Sequence, residues 1–291
     1  MAKIAWIGIG VMGSSMVTHL LKGGHRVTMY NKTLAKAEKV KAEAGGEVVD
    51  SVKKAVKDAD FIFTMIGYPK DVEDVYLGSE GIFACAKKGA IAIDMTTSQP
   101  SLAKRLYDAG RKAAIRVLDA PVSGGDTGAR NATLSIMVGG DEKDFNEVKP
   151  LFELMGKNIV HLGSAGYGQH TKAANQIAVA GATAAMTEAL VYSKKVGLDP
   201  GKMLQAIGAG AAGSWQLANM APRVMKRDLA PGFFIKHFIK DMKIVQEEMA
   251  ARGTDLGMLN AVLGLYLKMA ERGFENDGTQ ALIKLYEKAE E

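Results

Sequence analysis

The chain has 291 residues, 47% hydrophobic and 24% charged, with a net charge of +5. That balance excludes a disordered or collagen-like chain, and the length suffices for two domains with a substantial buried core. Basic residues are dispersed among acidic ones, so no nucleic-acid partner is expected. The single cysteine, Cys85, excludes an internal disulfide and a cysteine-built zinc site, and no metal is expected. No run approaches the roughly 20 apolar residues of a membrane span. Ile4–Ile9 is too short for a leader core, so no membrane partner and a cytoplasmic location are expected.

Ile4–Ile9 reads as a buried strand that runs into Gly8-Ile9-Gly10-Val11-Met12-Gly13 and then a helical pattern through Leu21. The bare G-x-G-x-x-G string is common in a chain with 33 glycines; its place between strand and helix makes it a dinucleotide turn. Gly8 permits the tight turn, Gly10 lets backbone approach a pyrophosphate, and Gly13 allows close helix–strand packing. The helix N-terminus, with Ile9, Val11 and Met12 around it, offers free N–H groups and a positive dipole end to phosphate. After the second strand, Val27–Tyr30, an NAD-specific site would carry an acidic residue for the ribose 2′-hydroxyl. Tyr30-Asn31-Lys32-Thr33 has none. Asn31 and Thr33 can donate to a phosphate and Lys32 can neutralise one, which points to NADP over NAD. The alternative is that Lys32 is a solvated helix-start lysine.

Phe61–Ile66, Ala90–Asp94 and Val117–Ala120 read as further strands, and Leu34–Ala44 and Ser101–Ala114 have helical spacing. Alternating strand and helix predicts an α/β fold with a parallel, doubly wound sheet. Met65 and Ile66, closing the third strand, join the candidate cofactor contacts. Thr133–Val138 and Ile159–Leu162, flanking a helix over Glu142–Met155, are expected to extend the same sheet. Asp119-Ala120-Pro121-Val122-Ser123-Gly124-Gly125 follows a strand at the ligand-binding end of such a sheet. The N–H groups of Ser123, Gly124 and Gly125, with the serine hydroxyl, make a nest for a carboxylate; a flexible glycine loop is the alternative.

At Gly163 the pattern changes. Gly168–Val196 has no proline and many alanines, which predicts one long helix approached closely by its neighbours. Met242–Ala251 and Leu256–Ala270 are helical, and no strand is evident. A dinucleotide-binding domain over 1–163 and an all-α domain over 164–291 are expected. The long helix lacks a charged stripe, which predicts a homodimer or homotetramer.

Lys172 and Asn175 lie three residues apart on that helix, with Gln176 beside them. A free lysine, with a pKa near 10.4, is too basic to accept a proton at neutral pH. Burial and a second cation such as Lys240 would lower that value, after which lysine can donate to an alkoxide or accept from a hydroxyl. Trp215, closing the run Gly208–Trp215, either shuts a pocket around a small acid or belongs to the core. His170 and His237 border the two lysines and read as supporting or surface residues.

These motifs resemble the β-hydroxyacid dehydrogenase family over essentially the whole chain. Gly8–Gly13, Asp119–Gly125, Gly163–Gln176 and Lys240-Asp241 fall in the family's order and approximate spacing. The resemblance implies a Rossmann-type domain followed by an all-α domain. It also implies hydride transfer between NADP or NAD and a small 3-hydroxy or semialdehyde acid. It makes Lys172 the catalytic acid/base and Asn175 the amide that orients substrate. It places Ser123, Gly124 and Gly125 at the substrate carboxylate, Thr97 and Lys240 at the nicotinamide, and Asp241 as the partner of Lys240. Ala132 stands where many members carry glycine before the threonine, here Thr133. Two rivals are imine reduction on the same scaffold and a cofactor-binding module with a silent site. Lys172, Asn175 and Lys240 together speak against both.

Overall fold

The computed structural model describes residues 1–287, in two compact units, Met1–Lys172 and the described residues from Ala173 onward. The first begins with β1 (Lys3–Ile7), α1 (Val11–Lys22), β2 (Arg26–Tyr30), α2 (Leu34–Ala44), β3 (Glu47–Val48), α3 (Val52–Val56) and β4 (Phe61–Thr64). It continues through α4 (Pro69–Leu77), α5 (Ile82–Cys85), β5 (Ile91–Asp94), α6 (Pro100–Lys112) and β6 (Arg116–Asp119). All six strands are parallel, in the order β3-β2-β1-β4-β5-β6. The strands are short apolar runs because both faces are covered: β5 is buried at every position. One face packs Trp6, Met16, Leu20, Phe63 and Phe152, the other Ile62, Val72, Tyr76 and Leu106. Each such side chain taken from water contributes roughly 1.5–3 kcal/mol. Strand order reverses beside β1, so the carboxyl ends of β1 and β4 border the crevice where doubly wound sheets bind ligands.

The strands after β6 do not extend this sheet, contrary to the sequence expectation. The chain continues through β7 (Val122–Ser123), α7 (Gly125–Arg130), β8 (Leu134–Val138), α8 (Glu142–Phe152) and β9 (Gly156–His161). β7 lies antiparallel and β9 parallel to β8 in a separate three-stranded sheet. With both its edges occupied, β8 has none to offer β6, and only the isolated bridge Asp119↔Gly139 links the two.

α9 (Tyr167–Lys195) is the single long helix foreseen from the alanine-rich run. The second unit adds α10 (Pro200–Gly208), a π-helical turn Gln216–Met220, α11 (Ala221–Met225), α12 (Ile235–Ala250), α13 (Gly257–Glu271) and a 3-10 helix Thr279–Leu285. Among the described residues this unit has no strand, only the isolated bridge Phe234↔Gly278. Ala180 and Ala184 of α9 pack with Phe238, Met242, Leu263 and Tyr266. At Gly181 a Cβ would stand 3.2 Å from the Met258 sulfur, so the small residue sets how closely the start of α13 approaches.

Ala132 has φ +54, in the left-handed region that disfavours a Cβ. Glycine relieves that strain at some entropic cost in the unfolded chain. Ala132→Gly is expected to raise unfolding stability by about 0.5–1 kcal/mol. A denaturant midpoint equal to or below that of the wild type would contradict it.

Candidate active site

The turn after β1 is built on one carbonyl. Gly8 has φ +103, and a Cβ there would strike the Met65 carbonyl oxygen. Its own carbonyl accepts a hydrogen bond from Trp6 Nε1 at 2.9 Å, and a Cβ on Gly13 would collide with it. Trp6 is held for this task by stacking on Phe63, with centroids 5.5 Å apart. At Gly10 a Cβ would meet no atom within 4 Å. Gly10 is also the N-cap of α1, which has no side-chain cap and no acidic residue in its first turn. Open space beside uncapped N–H groups suits the pyrophosphate of a dinucleotide. Ile9, Val11 and Met12 lie in this turn and the first turn of α1.

Asn31 has a structural task in the turn. Its Oδ1 accepts from the Ile9 N–H at 2.8 Å and its Nδ2 donates to the Thr33 carbonyl at 2.8 Å. The side chain braces the glycine turn from the end of β2. Lys32 and Thr33 are exposed beside it.

The carboxyl ends of β4 and β5 are joined by a buried network that sequence reasoning missed. Asp94 Oδ1 accepts from Thr64 Oγ1 at 2.8 Å and from the Thr96 N–H at 3.0 Å. Thr96 Oγ1 in turn accepts from the Ile66 N–H at 3.0 Å. Asp94 thereby sets the loops carrying Met65, Ile66 and Thr97. Burial above all pushes its carboxyl up to about 6; the hydrogen bonds from Thr96 and Thr64 oppose this, and Asp119 adds to it.

A second strand-ending aspartate, Asp119, closes the amino end of α9. Its Oδ1 accepts from the Gly166 N–H at 2.7 Å and its Oδ2 from the Gln169 N–H at 2.9 Å. Burial pushes this carboxyl up, and those two N–H groups pull it back down. Gln169 then reaches outward: Nε2 donates to the Thr96 carbonyl at 2.7 Å and Oε1 accepts from the Ser98 N–H at 2.9 Å, on either side of Thr97. One turn further along, Lys172 is 7% exposed and its Nζ donates to the Val122 carbonyl at 2.8 Å. The lysine ammonium is thus set against the residue before Ser123. In the adjoining turn Gly124 has φ +128 and Gly125 φ +62, and a Cβ at Gly125 would meet only open space. The signal for Asp94 and Asp119 was present in the sequence, since a carboxylate ending an apolar strand must find donors.

In the helical unit, Asn175 Nδ2 donates to Gln176 Oε1 at 2.8 Å, and Gln176 Nε2 to Asp241 Oδ2 at 2.7 Å. Lys240 Nζ stands 3.0 Å from Asp241 Oδ1, an ion pair outside hydrogen-bond alignment, so that oxygen accepts no hydrogen bond. Burial, then the Lys240 charge, holds His237 below the usual histidine range. Trp215 is 52% exposed just before the π-helical turn, which rules out the core reading. Among the described residues there is no helix long and apolar enough to cross a membrane, and no group of three metal-ligating side chains.

A dinucleotide turn on a doubly wound sheet, followed by an all-helical unit, defines a nicotinamide-dependent oxidoreductase. Residues 3–163 match the family described as the NAD binding domain of 6-phosphogluconate dehydrogenase. Residues 166–286 match the NAD-binding domain of NADP-dependent 3-hydroxyisobutyrate dehydrogenase. The chain is 51% identical to an uncharacterised oxidoreductase of Bacillus subtilis, YkwC, over 98% of this chain and 99% of that one. It is 36% identical to 2-hydroxy-3-oxopropionate reductase of Escherichia coli, over 98% and 97% of the two chains. Its structure resembles that of Mycobacterium tuberculosis 3-hydroxyisobutyrate dehydrogenase with L-serine (TM-score 0.89, 29% identity, 99% and 100% covered). The chain belongs to the β-hydroxyacid dehydrogenase family and is an NAD(P)-dependent hydroxyacid dehydrogenase.

The Asp94 environment has a pH signature. Between the ordinary carboxylate value near 3.9 and about 6, the folded protein keeps a proton that the unfolded chain has released. Stability therefore falls as pH rises through that window, by about 3 kcal/mol in total. Asp94→Asn keeps an acceptor for Thr64 and Thr96 without the charge. Its denaturation profile is expected to lose most of that fall and to lie above wild type near pH 7. Parallel profiles for the two proteins would show that Asp94 titrates as an ordinary carboxyl.

Proposed function

We propose that the chain transfers a hydride between NADP(H) and a small acid bearing a hydroxyl or oxo group on its β-carbon, with Lys172 as general acid/base. The observation that carries this reading is the buried Lys172 ammonium held at the Val122 carbonyl, next to the Ser123–Gly125 turn. Ser123, Gly124 and Gly125 take the substrate carboxylate, the left-handed backbone at Gly124 and Gly125 letting N–H groups converge on it. A bound nicotinamide takes or supplies the hydride. Lys172 moves the proton: neutral, it accepts the hydroxyl proton as the alcohol becomes a carbonyl; protonated, it returns that proton during reduction. Asn175 orients the acid and Trp215 covers it. Thr97 and Lys240 meet the nicotinamide end, with Asp241 holding Lys240. Gly8–Gly13, Met65 and Ile66 hold the rest of the dinucleotide. Residues 1–163 form the dinucleotide-binding domain, which also lends Ser123–Gly125 to the substrate, and residues 164–291 form the substrate and oligomerisation domain, which also lends Lys240 to the cofactor. The names 2-hydroxy-3-oxopropionate reductase and 3-hydroxyisobutyrate dehydrogenase with L-serine support a short acid with oxygen on the β-carbon.

Lys172→Ala is expected to lower turnover by about 10²–10⁴-fold while cofactor still binds. Lys172→Arg should restore little, because guanidinium keeps its proton near neutral pH. Near-normal turnover in Lys172→Ala would make the lysine structural. Imine reduction on this scaffold predicts oxidation of the reduced nicotinamide with cyclic imines but not with semialdehydes or glyoxylate, which absorbance separates.

The preference for NADP rests on Asn31, Lys32 and Thr33, Asn31 Nδ2 keeping a second N–H beyond the one given to the Thr33 carbonyl. Lys32→Ala is expected to raise KM for NADPH and leave that for NADH nearly unchanged. Equal losses with both cofactors would remove the assignment. A homodimer or homotetramer belongs to the same reading, supported by exposed Tyr192, Val196 and Leu198 around the end of α9. Light scattering that reports a monomer at micromolar concentration would contradict it.

A further inference from the structure

The two ends of an asparagine or glutamine amide are nearly the same size, so sterics alone do not decide which end faces a ligand. Hydrogen-bond partners decide it. In the helical unit four side chains stand in line, Lys240, Asp241, Gln176 and Asn175, joined at 3.0, 2.7 and 2.8 Å. We propose that Gln176 is a positioning residue that transmits the polarity of the Asp241 carboxylate to Asn175, so that Asn175 turns its carbonyl oxygen away from Gln176 and toward the substrate. This rests on the reading above in which Asn175 faces the acid.

The direction of the line follows from what each group can do. A carboxylate only accepts, and a lysine ammonium at its other oxygen only donates. Gln176 must therefore offer its NH₂ to Asp241, which leaves Oε1 as the end that meets Asn175. Asn175 must answer with its own NH₂. Its Oδ1 and one remaining N–H are then the groups free to orient a substrate. Gln176 and Asp241 are each 2% exposed, so water cannot replace either partner. Turning Gln176 over would set its carbonyl against the carboxylate in a dry, low-dielectric place, where an unmatched pair of acceptors is strongly disfavoured. Asn175 is only half-buried, so without Gln176 its amide would be free to rotate.

The test is a double-mutant cycle, measured with 2-hydroxy-3-oxopropionate and NADPH in one direction and L-serine and NADP⁺ in the other. Asn175→Ala and Gln176→Met are each expected to raise KM for the acid about tenfold, the loss of about one neutral hydrogen bond. The KM for cofactor should stay within about twofold, and the double variant should be no worse than Asn175→Ala alone. A reciprocal swap separates polarity from packing. Q176E alone sets two carboxylates face to face and should raise the KM of the acid further still. Q176E combined with D241N re-creates a carboxylate that accepts from both amides and, read at saturating cofactor because Asp241 also holds Lys240, should bring KM for the acid well below that of Q176E alone. Additive effects of Asn175→Ala and Gln176→Met, or a swap as impaired as Q176E, would overturn the relay. If Asn175→Ala leaves KM unchanged, the substrate role of Asn175 fails and the relay falls with it. If Asn175→Ala acts and Gln176→Met does not, only the relay is lost.

Discussion

Much of this molecule's chemistry hangs on a carboxylate folded into the start of a helix. Asp119 ends β6, and its two oxygens take the N–H groups of Gly166 and Gln169 at the amino end of α9. Charge-assisted bonds of this kind contribute about 1.5–3 kcal/mol each, and the positive end of a 29-residue helix favours the same charge. Against this stands the expense of burying a carboxylate, visible in the upward push on its pKa. The contact admits no bulk around it. A Cβ on Gly139 would come within 2.6 Å of Asp119 Oδ1, and one on Gly168 within 2.6 Å of the Asp119 carbonyl oxygen. Those two glycines permit the approach, and the approach fixes the rotation of α9 about its axis. The direction of Lys172, one turn along, is inherited from that rotation.

The same device is used on the neighbouring strand for another purpose. β5 also ends in an aspartate, and Asp94 and Asp119 lie opposite each other in the strand register. Asp94 Oδ1 takes both Thr64 and Thr96, and so ties the loop after β5 to the end of β4. Gln169 ties that loop to the first turn of α9 by holding the backbone on both sides of Thr97. A chain of neutral and charged hydrogen bonds therefore runs from the loops assigned to the nicotinamide to the helix that carries the lysine. Such a network can hold geometry only when its members are satisfied. Among the described residues, Ser98 Oγ is the one buried atom in this region without a partner.

The glycine turn follows a different logic, in which absence of side chains makes room and one large side chain holds the room open. Trp6 lies fully buried under the turn and donates to the Gly8 carbonyl. Gly13 brings α1 against that same carbonyl, while Gly10 faces empty space. Asn31, just after the adjacent strand, closes the arrangement from the side. A residue whose position suggests phosphate recognition is also part of the frame of the turn.

The parallel sheet, the glycine turn, the long α9 and the helical second unit were legible in the sequence because each depends on local pattern. Apolar runs bounded by glycine make buried strands, and a proline-free alanine run makes a helix, whatever else the chain does. The separate sheet of β7, β8 and β9 was not legible. Thr133–Val138 has the look of any buried strand, and nothing within it says whether its edges go to β6 or to β7 and β9. The residues nominated for chemistry, Lys172, Asn175, Ser123 and Lys240, were also visible as types in a pattern. Apart from Asp241 beside Lys240, what holds them was not. Asp94, Asp119 and Gln169 act on partners at distances of 2 to 73 residues along the chain. A carboxylate in a sequence shows that donors are needed; only the tertiary fold, by bringing particular N–H groups within reach, decides which ones are found.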